Sequence, residues 1–454
     1  PFPSVCGRVC HHPCESRCRR EQIDEPLAIR LLKRFAGDYA AVHILPGQTN
    51  IPQAIPNGKA IAVIGAGPAG LTAAFYLAKK GYKVEVLEAL PVAGGMLAVG
   101  IPDYRLPKEA LNLDLEAIKQ QGVEIKTGQA LGRDFTLKEL TDKKYNAVFL
   151  AIGAQKSMAL GIPGEELKGV VSGLTFLKEI NLGGDPGIKD KVVVVFGGGN
   201  AAVDAARSAL RKGAKKVHLL YRRRKAEMPA MKEEISDALA EGVNLDCLVT
   251  PVNILGENGS VKAVECIRMT SGEFDQQGRR KPVPMPGTEF TLPADVVVKA
   301  IGQLPDTNGI LDGTTIHTTE KGTVSVSSRS LSTNEAGVFA GGDCVSGPAT
   351  VIEAVAQGRK AAAAIDRYLG GDGLLWGDEE KAERKFHREI IETPTPCHMP
   401  GKMPVAERVQ SFAEVELPYD QKTALLEATR CLRCDVKSVS EQVSEQVAEQ
   451  VSAD

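Results

Sequence analysis

The chain has 454 residues, a formal net charge of −2 and 25% charged side chains, which allows about three domains and gives none of the basic excess expected of a partner of nucleic acid or anionic membrane. Apolar residues make up 43% and glycine occupies 46 positions, a balance suited to an α/β nucleotide-binding enzyme in which glycine lines a cofactor. No apolar run approaches the roughly 18 residues that span a bilayer and no secretory leader is recognisable, so a soluble cytoplasmic protein without a membrane span is expected.

Residues 1–50 read as a helical, cysteine-rich domain. Cys6, Cys10, Cys14 and Cys18 are each separated by three residues, among ten cysteines in all. In a long cytosolic-looking chain such thiols are ligands or buried groups rather than disulfides. Four thiolates this close repel one another unless a metal neutralises them, so a metal or cluster site is expected. Zinc satisfies the spacing as well. Iron–sulfur is favoured because a flavin-type fold follows and needs a one-electron outlet. His11 and His12 read as loop residues. The next stretch predicts a short helix with Asp24 as cap and Pro26 in its first turn. Leu27, Leu31, Leu32 and Phe35 lie on one face, and Arg30, Lys33 and Arg34 on a solvated face. The chain opens on Pro1, already close to the cysteines, so further residues upstream are expected.

After a linker over 46–58, residues 59–158 form the first part of a dinucleotide-binding domain. Lys59 to Glu88 reads as strand, glycine turn, helix and second strand. In the turn Gly65-Ala66-Gly67-Pro68-Ala69-Gly70, the first glycine lets the chain fold back, the second admits a pyrophosphate, and the third lets helix and strand pack closely. The phosphates would sit at the helix amino end, and Glu88 would accept the hydroxyls of an adenosine ribose. A loop with Gly95, Met96, Leu97 and Arg105 follows, then a helix over 108–121 and a strand over 123–127. The strand over 146–153 ends in Gly153 and leaves the domain.

Residues 159–303 repeat the unit. Gly197, Gly199 and Ala202 make a GxGxxA turn into a helix over 201–212. Where the first unit has Glu88, the second has Tyr221-Arg222-Arg223-Arg224, so guanidinium groups suited to a 2′-phosphate replace a hydroxyl acceptor and NADP(H) is expected. A basic surface turn is the plainer alternative. Strands over 243–256 and 261–269 suggest a hairpin. Residues 304–370 return to the first domain, where a strand ending in Gly342 and Asp343 precedes a helix opening at Thr350 and Val351. The carboxylate can hold a ribityl chain, while the helix amino end favours negative charge on a reduced isoalloxazine. The fold class is therefore α/β, with two nested doubly wound dinucleotide-binding domains. Residues 371–454 form an extension with a charged helix over 378–388, a turn-rich stretch over 394–404, a helix over 422–431, the pair Cys431 and Cys434, and a tail over 439–454 with valine every four residues. That pair is a candidate half-site for a metal, although two free thiols fit nearly as well. The tail alone is a marginal helix or disordered.

With PFPSVCGRVC, GAGPAGL, GGMLAVGIPDYRLP, GGGNAAVDAAR, YRRRKAEMP and FAGGDC in place, the chain resembles the glutamate synthase small-subunit family of FAD, NADPH and iron–sulfur oxidoreductases from residue 1 to about 370. The resemblance implies FAD on Gly65, Gly67, Ala69, Gly70, Glu88, Gly95, Leu97, Arg105, Asp343 and Val351, and NADPH on Gly199, Asn200, Ala201, Arg222 and Arg223. Pro68, Met96, Gly153, Gly342, Thr350 and Gly197 stand in the same turns and join these candidates. Cys6, Cys10, Cys14 and Cys18 match the second half of the cysteine set that holds two 4Fe-4S clusters. The first half is missing, and two such clusters need about eight ligands, so a second cluster would call on upstream residues, on Cys431 and Cys434, or on a partner. The extension ending in RCLRCD looks like those of multisubunit NAD(P)H-linked oxidoreductases. The function implied is hydride transfer between NADPH and FAD, with single electrons passed through 4Fe-4S clusters to a partner subunit or ferredoxin and no side-chain nucleophile. A disulfide reductase would need a CxxC near the flavin, and Cys247, Cys266 and Cys344 are isolated. A monooxygenase would not need the cysteine group. A redox scaffold without turnover is the alternative from another class.

Overall fold

The computed structural model describes residues 1–43, 54–143, 145–275, 278–307, 309–378 and 393–434. Most of the predicted linker, the charged helix expected over 378–388 and the valine-repeat tail lie outside them.

Among the described residues the first domain is a five-stranded parallel sheet with Ala60–Ile64 at its centre. Lys83–Glu88 and Glu124–Thr127 lie on one side of it, Ala147–Leu150 and Val338–Ala340 on the other. Its central strand is buried almost throughout, as a parallel strand covered on both faces must be. The helices Pro68–Lys79 and Val351–Tyr368 pack together across it. Gly358 makes that possible, since a Cβ there would stand 2.2 Å from the carbonyl oxygen of Ala69. The strand Val338–Ala340 reaches this sheet only after the chain has built a second one.

The second sheet orders Val170–Ser172, Val296–Lys299, Val192–Phe196, Lys216–Tyr221 and Asn244–Cys247, all parallel. An antiparallel hairpin, Val249–Glu257 with Ser260–Phe274, extends from it and carries the short strands Arg280–Pro284 and Phe290–Pro293. The two connections between the domains pair with each other, Lys156–Ser157 against Gln303–Leu304.

The amino-terminal helices Pro3–Val9 and Ile29–His43 touch backbone to backbone, because a Cβ on Gly7 would lie 2.5 Å from the Arg34 Cα. Phe2, Val5, Cys6 and Val9 enter the same apolar core as the first sheet. Asp114 accepts the amides of Val5 (2.9 Å) and Ser4 (3.4 Å) at the start of the first helix.

Two expectations for this region are corrected. Asp24 does not cap the second helix, which starts at Ile29. Its carboxylate instead accepts Arg20 (2.8 and 2.6 Å), Arg430 (3.0 Å) and the Thr395 amide (2.8 Å). Arg30 and Arg34 do not face solvent, because the extension covers them: Arg30 pairs with Glu416 at 2.7 Å and Arg34 with Glu414 at 2.9 Å. Lys33 is half-buried.

The extension, 393–434, crosses from the second domain to the cysteine-rich one. Lys402 and Arg408 meet Asp237 at 2.8 and 3.2 Å, the Val415 amide donates to the Tyr104 carbonyl, and the helix Gln421–Thr429 lies beside the second amino-terminal helix.

Candidate functional site

At the first glycine turn, Gly65 has φ 106°, and a Cβ there would stand 2.4 Å from the Ala151 carbonyl oxygen. A Cβ on Gly70 would stand 2.0 Å from the Gly65 carbonyl, whereas one on Gly67 would have no atom within 4 Å. The turn is therefore closed at both ends and open in the middle, the shape a pyrophosphate requires. No side chain caps the helix that follows, which leaves its first N–H groups to an anion. Glu88 is buried and accepts the amides of Ala66 (2.6 Å) and Leu90 (2.8 Å); burial pushes its carboxyl up while those amides oppose the shift.

Gly95, with Met96 and Leu97 behind it, folds onto this turn: the Gly94 amide donates to the Ala66 carbonyl, and a Gly95 Cβ would meet the Gly67 Cα at 2.9 Å. Gly342 approaches Ala69 from the other side. Next to it, burial pushes the Asp343 carboxyl up to about 6. Thr350 and Glu353 make a reciprocal capping box at the start of Val351–Tyr368. Gly65, Gly67, Pro68, Ala69, Gly70, Glu88, Gly95 and Gly342 are thus brought together at one turn whose open middle fits a pyrophosphate, while Met96, Leu97, Asp343, Thr350 and Val351 stand on the elements that follow Gly95 and Gly342. Gly153, at φ 70°, lies where the chain leaves this sheet. Arg105 turns elsewhere, onto Asp204 and Glu234 of the second domain.

The second turn repeats the construction. A Cβ on Gly197 would stand 2.3 Å from the Ala300 carbonyl, and one on Gly199 would have open space. The helix Asn200–Arg211 starts there without a side-chain cap. Asn200 accepts the Met231 amide at 3.0 Å, and Ala201 is exposed. The arginines part company. Arg222 is exposed, while Arg223 is buried against the hairpin, with its Nε donating to the Arg280 carbonyl at 3.0 Å and its guanidinium 3.8 Å from Asp275. The open turn with the exposed Arg222 at the end of its second strand fits a 2′-phosphorylated nucleotide.

The four amino-terminal cysteines are unequal. Cys6 and Cys10 are buried, Cys18 is half-buried and Cys14 is exposed. The Cys10 sulfur accepts the His12 amide (3.4 Å) and the Cys18 sulfur accepts the Leu27 amide (3.5 Å). Burial pushes the Cys6 thiol up. Among the described residues no three Cys, His, Asp or Glu side chains are gathered as a metal-ligand set, so the donor chemistry suits a cluster while the ligand geometry is not assembled. Cys431 follows Arg430, which bonds Asp24 and the carbonyls of Glu25 and Pro26, so the Cys431 and Cys434 segment lies beside the cysteine-rich domain. Cys266 and Cys344 are buried and Cys247 is half-buried. The buried ionic groups Asp204, Glu241 and Glu427 were not anticipated, since nothing in their local sequence marks a charge for burial.

Two successive dinucleotide folds, the first completed by a strand that follows the second, define an oxidoreductase of the flavin- and nicotinamide-nucleotide class. The chain belongs to the pyridine nucleotide-disulphide oxidoreductase family, which its residues 59–358 match, and residues 1–44 match the family of dihydropyrimidine dehydrogenase domain II, 4Fe-4S cluster. It is 47% identical over 460 residues to the NADP(+)-dependent formate dehydrogenase subunit beta of Moorella thermoacetica, covering 95% of this chain and 65% of that protein. With the NADPH-Fe(3+) oxidoreductase subunit beta of Geobacter sulfurreducens it shares 41% over 474 residues, 96% of this chain and 70% of the relative. The glutamate synthase [NADPH] small chain of Escherichia coli shares 36% over 385 residues, 81% of each, in line with the resemblance to that family. The chain thus spans about two thirds of the length of the formate dehydrogenase relative. Among solved structures, Mycobacterium tuberculosis FprA in complex with NADPH shares the fold with a TM-score of 0.60 at 19% identity over 69% of this chain and 85% of that one. Thioredoxin reductase of T. acidophilum does so with 0.52 at 24% over 68% and 97%. No helix among the described residues is long and apolar enough to cross a membrane.

Proposed function

We propose that the chain is an electron-transfer subunit that moves hydride between NADPH and FAD and passes single electrons through 4Fe-4S centres to a partner subunit or ferredoxin. The observation that carries this reading is the shared core: the cysteine-bearing helix Pro3–Val9 packs into the same apolar cluster as Ala66, Ala69 and Leu97 of the first turn. The cysteines and the flavin cradle are thereby built as one unit. When bound, the flavin supplies the conversion between a two-electron hydride and single electrons.

The side chains bind and orient. The amides at Gly67 and the following helix turn hold the pyrophosphate, Glu88 the adenosine ribose and Asp343 the ribityl chain, while the amino end of Val351–Tyr368 favours negative charge on the ring. Gly199, Asn200 and Ala201 receive the second pyrophosphate, and Arg222 takes the 2′-phosphate, with Arg223 buttressing it from the hairpin. Cys6, Cys10, Cys14 and Cys18 supply thiolates to one centre, and Cys431 and Cys434 to another. Disulfide chemistry finds no support at the flavin, since Cys344 is fully buried and its thiol is pushed up to about 12 by that burial. Ten free thiols suit a reducing, cytoplasmic compartment.

The test is an anaerobic titration with NADPH followed by visible and EPR spectroscopy, with iron and acid-labile sulfide counted on the same sample. Flavin bleaching followed by reduced-cluster signals is expected. Zinc in place of iron, with flavin reduction alone, would make the cysteine domain structural and refute the electron route.

A further inference from the structure

We propose that Tyr221 is a specificity-determining residue: it holds the place that Glu88 holds in the first turn and, by keeping a carboxylate out of it, opens the second turn to a 2′-phosphate. The proposal rests on the assignment of NADP(H) to the second turn.

The two positions coincide in the construction of the turns. Glu88 closes the strand Lys83–Glu88 and Tyr221 closes Lys216–Tyr221. In each unit the preceding leucine carbonyl accepts the amide of the first turn glycine, Leu87 from Gly65 at 2.8 Å and Leu220 from Gly197 at 3.1 Å. Each side chain then meets the second residue of its turn. Glu88 accepts the Ala66 amide at 2.6 Å, whereas the Tyr221 ring lies against Gly198, so closely that a Cβ there would stand 2.3 Å from it. Gly198 has no left-handed φ, so its backbone would admit other residues and it is the ring that calls for glycine.

Tyr221 brings no charge to this place. Its hydroxyl donates to the Glu227 carbonyl at 2.8 Å, which commits its proton to the protein and ties down the turn Lys225–Glu227. The same loop returns to the glycine turn, where the Ala230 amide donates to the Gly198 carbonyl at 3.0 Å and the Met231 amide to Asn200 Oδ1 at 3.0 Å. Exposed Arg222 stands at its start.

A carboxylate at the strand end accepts ribose hydroxyls and repels a phosphate carried on one of them. An aromatic wall does neither, so the choice passes to the arginine that follows it. Discrimination thus comes from two neighbouring residues, one that attracts the extra phosphate and one that withholds the group that would reject it.

The test measures NADP⁺ and NAD⁺ binding by calorimetry to the flavin-loaded full chain, as wild type, Tyr221→Phe and Tyr221→Glu. Tyr221→Phe is expected to keep the wild-type ratio of affinities within about threefold, and Tyr221→Glu to lower it at least about tenfold, with NADP⁺ binding weakened and NAD⁺ binding held or strengthened. Equal weakening of both nucleotides in Tyr221→Glu would reduce the residue to a wall of the turn and overturn the proposal, as would a similar fall of the ratio in Tyr221→Phe. Should Tyr221→Glu yield no folded protein, Tyr221→Gln brings the accepting oxygen without the charge. The ratio then falls at least about threefold through stronger NAD⁺ binding, and an unchanged ratio overturns the proposal. Wild type that binds NADP⁺ no better than NAD⁺ removes the NADP(H) assignment and the proposal with it, whereas a wild-type preference that Tyr221→Glu leaves intact overturns the proposal alone.

Discussion

Glu427→Gln probes how the extension is latched to the cysteine-rich domain. The Glu427 carboxylate is fully buried. Its Oε1 accepts the Ala28 amide at 2.9 Å and Arg430 at 2.7 Å, and its Oε2 accepts the His398 amide at 2.9 Å and lies 3.1 Å from His398 Nδ1. A glutamine keeps the shape but turns one oxygen into a donor. In the better orientation that NH₂ faces the His398 amide, leaving one buried N–H unpaired at about 1–3 kcal/mol, and the bond to Arg430 loses its charge at roughly 1 kcal/mol more. Arg430 keeps Asp24, so the sum stays near 2–4 kcal/mol and acts locally. Hydrogen exchange should therefore quicken by roughly 30- to 1,000-fold in peptides covering 24–32, 393–403 and 421–431, and stay unchanged in the strands Ala60–Ile64 and Val192–Phe196. A change below about threefold would refute the latch, and uniform quickening throughout would show that the carboxylate supports the whole fold instead. Burial works against ionisation of Glu427, but the amides, His398 and Arg430 overcome it and hold its carboxyl below the usual range. Its contribution is thus fully present above the unfolded value of about 4.3 and is lost as pH falls through the lower folded value, so wild-type protection should persist at pH near 5 and fade only in stronger acid.

Arg222→Ala should lower the NADPH-over-NADH preference in flavin reduction by at least about tenfold, whereas Arg223→Ala should change that ratio much less and instead lower the melting temperature, because its guanidinium ties the hairpin; equal effects on the ratio would contradict the division of labour. Asp343 titrates at about 6 in the fold against about 3.9 when unfolded, so its ionisation opposes folding increasingly as pH rises between those values and fully above them. Asp343→Asn should therefore stabilise the flavin-free protein by up to about 3 kcal/mol at pH near 7.5 and not at pH near 3.5, and a difference independent of pH would refute the burial argument. Replacing Cys10 and Cys14 together by serine should remove at least half of the iron and sulfide, and full retention would exclude them as ligands.

The two glycine turns were legible because every part of them is local: strand, glycines, helix and terminal acid or arginine lie within about thirty residues, the span of a single βαβ unit. What was missed lies far apart in the chain. Arg30 and Arg34 read as a solvated face because the carboxylates that cover them, Glu414 and Glu416, come from the opposite end. A signal existed there, since alternate residues of an extended segment share a face and Val415 between them is buried. Asp24 matched a helix cap by composition, yet three donors from two segments claimed it. Arg222 and Arg223 are equivalent as sequence. Only the hairpin, whose Arg280 carbonyl captures one of them, tells them apart.

Interfaces between domains of one chain are commonly polar, and this one is. Asp237 receives Lys402 and Arg408 from the extension, while Glu241 receives Arg207 and Arg211 from its own domain. An apolar seam of equal size would serve stability at least as well, because buried ion pairs seldom exceed their desolvation cost. An apolar seam also tolerates sliding, whereas a fork of guanidinium and carboxylate groups is satisfied in one arrangement only. Choosing charge over grease at this junction therefore costs little stability and fixes orientation, which is the property two nucleotide turns on separate domains need most.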